Sequence, residues 1–320
     1  MKENRDCVSV IVLTYNNLEL LPRCIASIEM QDYPNIEVIV QDDHSDGFNE
    51  ERILSYFHTK NHNSKKIIIN RNRENLGTVK SYNAAIQMAN GDIIVPLAGD
   101  DQFAGKHVIS RIVQTFCKTN CKVCCGIIEN EQSHARYPIK KDTLLLQKNN
   151  KEILLERLYA ANFISGAALF WKRDFLLDIG GFDTSYQLVE DYPMVFYLVN
   201  HGIEIECVNS LTTIHGEDGI SNRFSTLFGK NKRASLDGKL VKDKEVIPYL
   251  KNIKNRRLRR YIEACYYLKY SAGRREFITK FLYYMDVWLE IIFYFIMKQI
   301  DSRKYPHIYY YIARRRHGKY

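Results

Sequence analysis

Four short runs of near-continuous apolar residues, each ending in a polar turn and followed by a helical pattern, constrain this chain more than any other feature. Val8 to Thr14 (VSVIVLT) is β-branched and of strand length, and it stops at Tyr15-Asn16-Asn17. Leu18 to Met30 has helical spacing, with Leu21, Ile25 and Ile28 on one face, until Tyr33-Pro34-Asn35 breaks it. Ile36 to Val40 is a second strand, ending in Gln41-Asp42-Asp43-His44-Ser45-Asp46-Gly47. A helix over Glu50 to Phe57, a strand over Lys66 to Asn70 and a turn at Asn75-Leu76-Gly77 come next. A helix over Val79 to Ala89 is closed by Asn90-Gly91, and the fourth strand, Ile93 to Leu97, runs into Ala98-Gly99-Asp100-Asp101. Strands that are apolar throughout are buried on both faces. The expected fold class is therefore α/β, a doubly wound, mostly parallel sheet flanked by helices.

Such sheets bind ligands beyond the carboxyl ends of their strands. Three of these ends are polar here: Thr14-Tyr15-Asn16, Asp42-Asp43 and Asp100-Asp101. Any one could be a solvated turn or a cap. Carboxylates crowded at neighbouring strand ends repel one another unless a cation or hydrogen-bond donors offset them.

Further along, a helix is expected over His107 to Lys118 and a buried strand over Val123 to Ile128. The stretch from Glu129 to Asn150 lacks apolar periodicity and is expected to be a loop. Lys151 to Tyr159 is helical, and Phe163 to Trp171 reads as a strand kinked at Ser165-Gly166. A short helix over Phe175 to Ile179 is stopped by Gly180-Gly181. Another, Glu190 to Asn200, opens with two acids, as the helix dipole favours. Cys117, Cys121, Cys124 and Cys125 form a lone C-x-x-C cluster without the second pair or the histidines of a structural zinc site, so core packing is the expectation. No disulfide framework and no signal peptide are evident, which makes the cytoplasm the expected compartment.

Charge divides the chain. Residues 1–220 hold 22 basic against 29 acidic side chains, a net of −7, whereas residues 221–320 hold 24 against 8, a net of +16. Lys230 to Arg260 is basic and polar, and Tyr261 to Ile300 is helical and rich in aromatics. Lys280, Asp286, Glu290 and Lys298 interrupt that helix, which suits packing on the body or lying in a membrane interface better than crossing a bilayer. The expected anionic partner of this tail is a peripheral membrane surface, and nucleic acid is not expected. A division is expected between a domain over 1–225 and a helical extension over 226–320.

The motifs, taken in order, resemble the family 2 glycosyltransferases with their GT-A fold. VSVIVLTYNN resembles the first strand and nucleotide loop of that family, and IEVIVQDDHSDG its second strand and acidic turn. NLGTVKSYNAAIQMANGDIIVPLAGDD resembles the segment leading to its D-x-D motif. ISGAALFWKRDFLLDIGGFD with Glu190-Asp191 resembles the acceptor block, and IHGEDGIS a closing His-containing segment. The resemblance spans about Val8 to Ser221. It implies that Thr14, Tyr15 and Asn16 line the nucleotide pocket, that Asp42 bonds the base, and that Asp43 lies near the ribose. Gly77, Asn83 and Asp100 are implied on the nucleotide side. Asp101 is implied as the ligand of Mn²⁺ or Mg²⁺, with His215 at the metal or diphosphate. Ser165, Gly166 and Glu190 are implied on the acceptor side, and Asp191 as the catalytic base. Two positions depart from the family pattern: Tyr82 stands where Arg is frequent, and Ala98-Gly99-Asp100-Asp101 lacks the first acid of D-x-D.

The chemistry calls for such groups. Breaking the bond from a sugar C1 to phosphate leaves a nucleoside diphosphate, whose charge a divalent cation on hard oxygen ligands stabilises. The acceptor hydroxyl needs a carboxylate to take its proton. Attack opposite the leaving group inverts the anomeric centre. The expected function is transfer of a sugar from a nucleotide donor to a saccharide or lipid-linked acceptor, in surface polysaccharide synthesis. Two rivals are a non-catalytic nucleotide-sugar-binding scaffold and a sugar-nucleotide pyrophosphorylase. The latter calls for a Gly-rich basic loop after the first strand, where this chain has Tyr15-Asn16-Asn17-Leu18-Glu19.

Overall fold

The computed structural model describes residues 6–57, 64–216, 232–270, 273–301 and 307–317. Its centre is one sheet of β1 (Val8–Thr14), β2 (Ile36–Asp42), β3 (Ser64–Arg71), β4 (Ile93–Ala98), β5 (Gln102–Phe103), β6 (Val123–Asn130), β7 (Arg136–Tyr137), β8 (Leu169–Lys172) and β9 (Ile205–His215). The order is β3-β2-β1-β4-β8-β6-β9-β5, with β7 paired to β6. The first four strands are mutually parallel, β8 lies antiparallel between β4 and β6, and β6 and β9 are again parallel. The doubly wound expectation holds for the N-terminal half, and the C-terminal half is mixed.

Alternation along β1 explains the two-sided burial. Val8, Val10 and Val12 enter one core with α1 (Leu21–Glu29), α2 (Glu50–Leu54) and α4 (Val108–Thr119). Ile11 enters the other, with α3 (Thr78–Met88), α6 (Lys151–Ala160), α7 (Arg173–Asp178) and α8 (Asp191–Asn200). On β6, Cys124 faces the first core and Cys125 the second, both buried, so this part of the cysteine cluster is packing material.

Three expectations change. Glu129 to Asn150 is not a loop: β6 runs to Asn130, β7 forms a short hairpin with it, and α5 (Lys140–Lys148) follows. The apolar content of α5 is one run, Leu144-Leu145-Leu146, which carries no helical period of its own. The stretch Phe163 to Trp171 is a strand only from Leu169, because Gly166–Ala168 forms a 3₁₀ turn at the expected kink. β9 has no counterpart among the expected strands. Its polar-apolar mixture (IECVNSLTTIH) reflects a bulged, part-buried strand whose register with β6 shifts around Gly126. A side chain at Gly126 would meet Thr212 Oγ1 at 2.2 Å, so the two strands approach closely there.

The C-terminal region is helical: α9 (Lys232–Val241), short π and 3₁₀ turns to Asn252, α10 (Arg256–Tyr270), α11 (Arg274–Tyr283), α12 (Met285–Ile300) and α13 (Ile308–His317). Val241, Val246, Leu258, Ile262 and Tyr309 to Ile312 share the core of α3, α6 and α8. The expected boundary at residue 225 falls outside the described residues.

Candidate active site

Strand order reverses direction between β1 and β4, because the chain leaves β1 for β2 and β3 and returns on the other side. The crevice beyond the carboxyl ends of these two strands is where such sheets place ligands. Register sets its walls. Thr14 pairs with Asp42, Leu13 pairs with Ala98, and Gly99 donates its N–H to the Leu13 carbonyl at 2.7 Å. Thr14, Asp42 and Asp100-Asp101 therefore share one edge, as expected.

On the nucleotide side, Thr14 is buried and donates from Oγ1 to Asn17 Oδ1 (2.6 Å), while Tyr15 is exposed at the rim. Asn16 takes a left-handed conformation (φ 51°) and ties two loops together: its N–H donates to Ser45 Oγ, and its Oδ1 accepts from Asp46 N–H. Asp42 is fully buried. Its Oδ2 accepts from Ser45 N–H (2.9 Å) and lies 3.4 Å from Arg71 Nε, while Oδ1 is buried with no hydrogen-bond partner. An acceptor atom left in that state suits a donor on a ligand. Arg71 carries no motif, so sequence reasoning passed over it.

Two expected nucleotide residues prove to hold backbone. Asp43 accepts at Oδ1 from Asn72 Nδ2 and Leu76 N–H (both 2.8 Å) and at Oδ2 from Gly77 N–H (2.9 Å), so both oxygens are committed to the turn that starts α3. Asn83 accepts from Phe182 N–H (2.9 Å) and donates to Phe182 O (2.8 Å), a two-bond clip between α3 and the loop after α7. Tyr82, at the position where the family often has Arg, is buried and stacks on Phe182 with ring centroids 4.9 Å apart. Gly77 has φ +85° and no room for a side chain, since a Cβ would lie 2.6 Å from the Gln187 carbonyl oxygen.

Asp101 is fully buried at the end of the β4 turn. Its Oδ1 accepts from Gly216 N–H and pairs with His215 Nδ1, both at 2.9 Å, and its Oδ2 is buried with no hydrogen-bond partner. The antiparallel pairing of β5 with β9, Gln102 opposite Ile214, brings His215 to Asp101 across 114 residues of sequence. Burial pulls the His215 imidazolium down, but the hydrogen bond and charge of Asp101, with Asp100 adding, hold its pKa above the usual value. Asp100 is also buried; its carbonyl accepts from Arg23 Nη2 (3.2 Å), and Arg23 in turn makes a two-bond pair with Glu131. Among the described residues no group of three or more His, Cys, Asp or Glu side chains surrounds a metal position. A cation shared with a diphosphate needs only one or two protein carboxylates. An orphaned buried oxygen on Asp101 fits that donor set. The remainder of the expected closing segment, Glu217 to Ser221, lies outside the described residues.

The acceptor block reaches the same edge through β9. Asp191 starts α8, accepting at Oδ2 from Gly166 N–H (3.1 Å) and at Oδ1 from its neighbour Tyr192 N–H (2.6 Å). One residue on, Ala167 O accepts from Thr213 Oγ1 (3.2 Å), two positions before His215. Glu190 folds over Gly166, where a Cβ would lie 2.2 Å from Oε1, and Ser165 precedes this turn as its N-cap. Burial, then the charge of Asp191, pushes the Glu190 carboxyl up to about 8. Burial raises Asp191 too, opposed by the Gly166 and Tyr192 N–H groups. A carboxyl pair with raised affinity for protons is equipped for general acid–base work near neutral pH.

The extension also takes part. Asp237 on α9 accepts at one oxygen, Oδ2, from the consecutive N–H groups of Gln187 (2.9 Å), Leu188 (2.6 Å) and Val189 (3.2 Å), directly before Glu190. Just beyond α9, Lys242 donates to Tyr192 Oη (2.9 Å) and Tyr159 O (3.0 Å), and burial lowers its pKa to about 8. The segment bearing Glu190-Asp191 is thus held from both sides by a region with no recognisable motif. Its polar residues read as solvated charge in the sequence.

A mostly parallel sheet with a switch-point crevice, a buried aspartate turn and a carboxyl pair tied to that turn through β9 fit the GT-A architecture. Residues 9–180 match the model of glycosyl transferase family 2, and the chain belongs to that family. It is similar to abequosyltransferase RfbV of Salmonella typhimurium (28% identity, 60% of each chain). It is also similar to the putative colanic acid biosynthesis glycosyl transferase WcaA of Escherichia coli (27%, 71% of this chain and 80% of that one). An uncharacterized glycosyltransferase of Haemophilus influenzae matches at 26% over 60% of this chain and 62% of its own length. The similarity to RfbV and the Haemophilus protein thus spans about three fifths of their lengths. Among solved structures, the mannosyltransferase PcManGT of Pyrobaculum calidifontis, in complex with GDP-Man and Mn²⁺, superposes with TM-score 0.56 at 18% identity, over 87% of this chain and 74% of that one. S. aureus TarS 1-349 in complex with UDP gives 0.56 at 13%, over 89% and 91%. At these identities the likeness establishes the fold.

Proposed function

We propose that the protein transfers a sugar from a nucleoside-diphosphate donor to a hydroxyl of a saccharide or lipid-linked acceptor, with inversion, in the synthesis of a surface polysaccharide. The observation that supports this is a chain of contacts: Asp191 accepts from Gly166 N–H, the neighbouring Ala167 carbonyl accepts from Thr213 Oγ1, and His215, two residues on, pairs with Asp101, whose Oδ2, like Asp42 Oδ1, is buried without a hydrogen-bond partner. The relatives named for abequose transfer and colanic acid synthesis support the polysaccharide setting, and the Mn²⁺ and GDP-Man complex of the mannosyltransferase supports the donor class.

The roles implied by the resemblance are compatible with this geometry. Asp42 accepts from the base through Oδ1, with Tyr15 at the rim. Asp101, oriented by His215 and Gly216, would hold Mn²⁺ or Mg²⁺ through Oδ2. Bound there, the cation would offset the charge that grows on the departing diphosphate. Asp191 takes the proton of the acceptor hydroxyl. The hydroxyl oxygen bonds to C1 while the C1–O bond to phosphate breaks, its electron pair leaving with the nucleoside diphosphate. Burial and the charge of Asp191 hold Glu190 at about 8, while the Gly166 and Tyr192 N–H groups oppose the rise that burial imposes on Asp191.

Thermal shift with UDP-, GDP- and dTDP-sugars and Mn²⁺ identifies the donor class. Asp101→Asn is expected to abolish the Mn²⁺-dependent part of that shift. Asp191→Asn is expected to keep it and lose turnover by roughly 10³-fold. Sugar transfer undiminished in Asp191→Asn, or a product with retained anomeric configuration by NMR, refutes the mechanism.

A further inference from the structure

The described residues expose 18 large apolar side chains, and 11 of them lie between Ile278 and Ile300, so most of the exposed large apolar side chains among the described residues are concentrated in this one stretch. The pattern on α12 is ordered. Leu289, Ile292, Phe293, Ile296 and Ile300 recur at helical spacing on the outer face, each about half exposed or more, and Leu282 on the preceding α11 is exposed as well. The opposite face of α12 is used internally, where Val287 packs with Ala264 and Tyr284, and Tyr294 packs in the main core.

Charge identifies what covers this face. α12 contains two acids, and both are paired with arginines of α10: Asp286 with Arg260 at 2.6 Å, and Glu290 with Arg257 at 3.1 Å. Neither acid of α12 is therefore left uncompensated, and residues 221–320 as a whole are strongly basic, at +16. A second copy of the chain would bring two such regions together, and like charge opposes that. An anionic bilayer surface satisfies both features: lipid chains take the apolar stripe and headgroups the basic charge. Insertion is parallel to the membrane. A 16-residue helix is about 24 Å long, short of a hydrocarbon core of about 30 Å. No helix among the described residues is long and apolar enough to cross.

We propose that the outer face of α11 and α12 is a peripheral docking surface for an anionic lipid bilayer, with Leu289, Ile292, Phe293 and Ile296 entering the acyl boundary. This is independent of the transfer chemistry and stands or falls without it.

Full-length protein is sedimented with vesicles of phosphatidylcholine alone and with vesicles containing about one third phosphatidylglycerol. It is expected to pellet with the anionic vesicles, to release partly at high salt, and to stay in the supernatant with neutral ones. The triple variant Leu289→Glu/Phe293→Glu/Ile296→Glu alters exposed positions and is expected to keep the wild-type melting temperature while losing at least about 30-fold in partition. Wild-type protein that ignores anionic vesicles, or binds neutral ones equally well, overturns the proposal. So does a lipid-free dimer, seen by sedimentation velocity, that the triple variant converts to monomer, since that result assigns the face to a second copy. The wild-type comparison of anionic with neutral vesicles, at low and high salt, needs no variant and decides the matter if the triple variant fails to fold.

Discussion

Two neighbouring carboxyl groups at the start of α8 sit in a poorly solvated position with unequal numbers of donors. Asp191 receives two backbone N–H groups, and Glu190 is pushed up to about 8 by burial and by Asp191. Between the ordinary Glu value of 4.5 and that raised value, an unfolded chain has released the Glu190 proton and the folded chain has kept it. Stability therefore falls as pH rises through this window, the reverse of a salt-bridged acid. Glu190→Gln removes the titration. Denaturant unfolding is expected to show a flatter pH dependence, with the variant more stable than wild type at the alkaline end by on the order of 2 kcal/mol. Equal slopes in the two proteins count against the raised value. Asp43 shows that residue type does not by itself settle a role. An acidic turn after a strand suggested a ligand contact, yet this one satisfies the orphan donors at the start of α3. Nothing local distinguishes it from Asp42, because the difference lies in Asn72 and Gly77, which only the fold brings near.

Elements were legible where burial was two-sided and illegible where it was partial. β1, β2 and β4 announce themselves because each contains a run of mostly apolar residues, VIVL, VIV and IIVPLA. β9 is half polar because its residues meet a bulged β6 on one side and only the two-residue β5 on the other. That concealment mattered: the strand carries His215 to Asp101 and links Thr213 to the Gly166 turn. The same holds for α9, whose Asp237 gathers three successive N–H groups of the loop before Glu190. A loop held this way has little freedom, and misplacing a catalytic group by about 1 Å can lower rate about 100-fold. Asp237→Ala is expected to reduce kcat at least about tenfold with donor KM little changed, because the nucleotide side is built from β1, β2 and β4. Asp237→Asn, which keeps an acceptor oxygen, is expected to recover part of the loss. A change confined to KM would place Asp237 on the donor side instead.

At the scale of the whole molecule, the acidic body and the basic tail suggested by charge do not correspond to two cores. Asp142 on α5 and Arg157 on α6 form a buried two-bond pair, Tyr310 on α13 donates to Asp142 at 2.5 Å, and the Arg157 guanidinium lies 4.8 Å from the Phe163 ring centroid. Breaking one partner of such a buried pair strands the other, so Asp142→Ala is expected to destabilise the folded chain by about 3–5 kcal/mol, read by denaturant unfolding. The apolar side of that junction is larger still, since Val241, Val246, Leu258, Ile262 and Ile308 lie in one cluster with Leu154, Leu158 and Phe196. Removing everything after residue 225 would uncover this cluster and leave Asp142, Arg157 and the 187–189 amides without their C-terminal partners. Despite covering every recognised motif, the truncated chain is expected to express as aggregate or to bind a hydrophobic dye with no cooperative melt. A soluble truncated chain that melts cooperatively and retains the donor-induced thermal shift would establish that the first 225 residues fold alone, and that the helices merely decorate them.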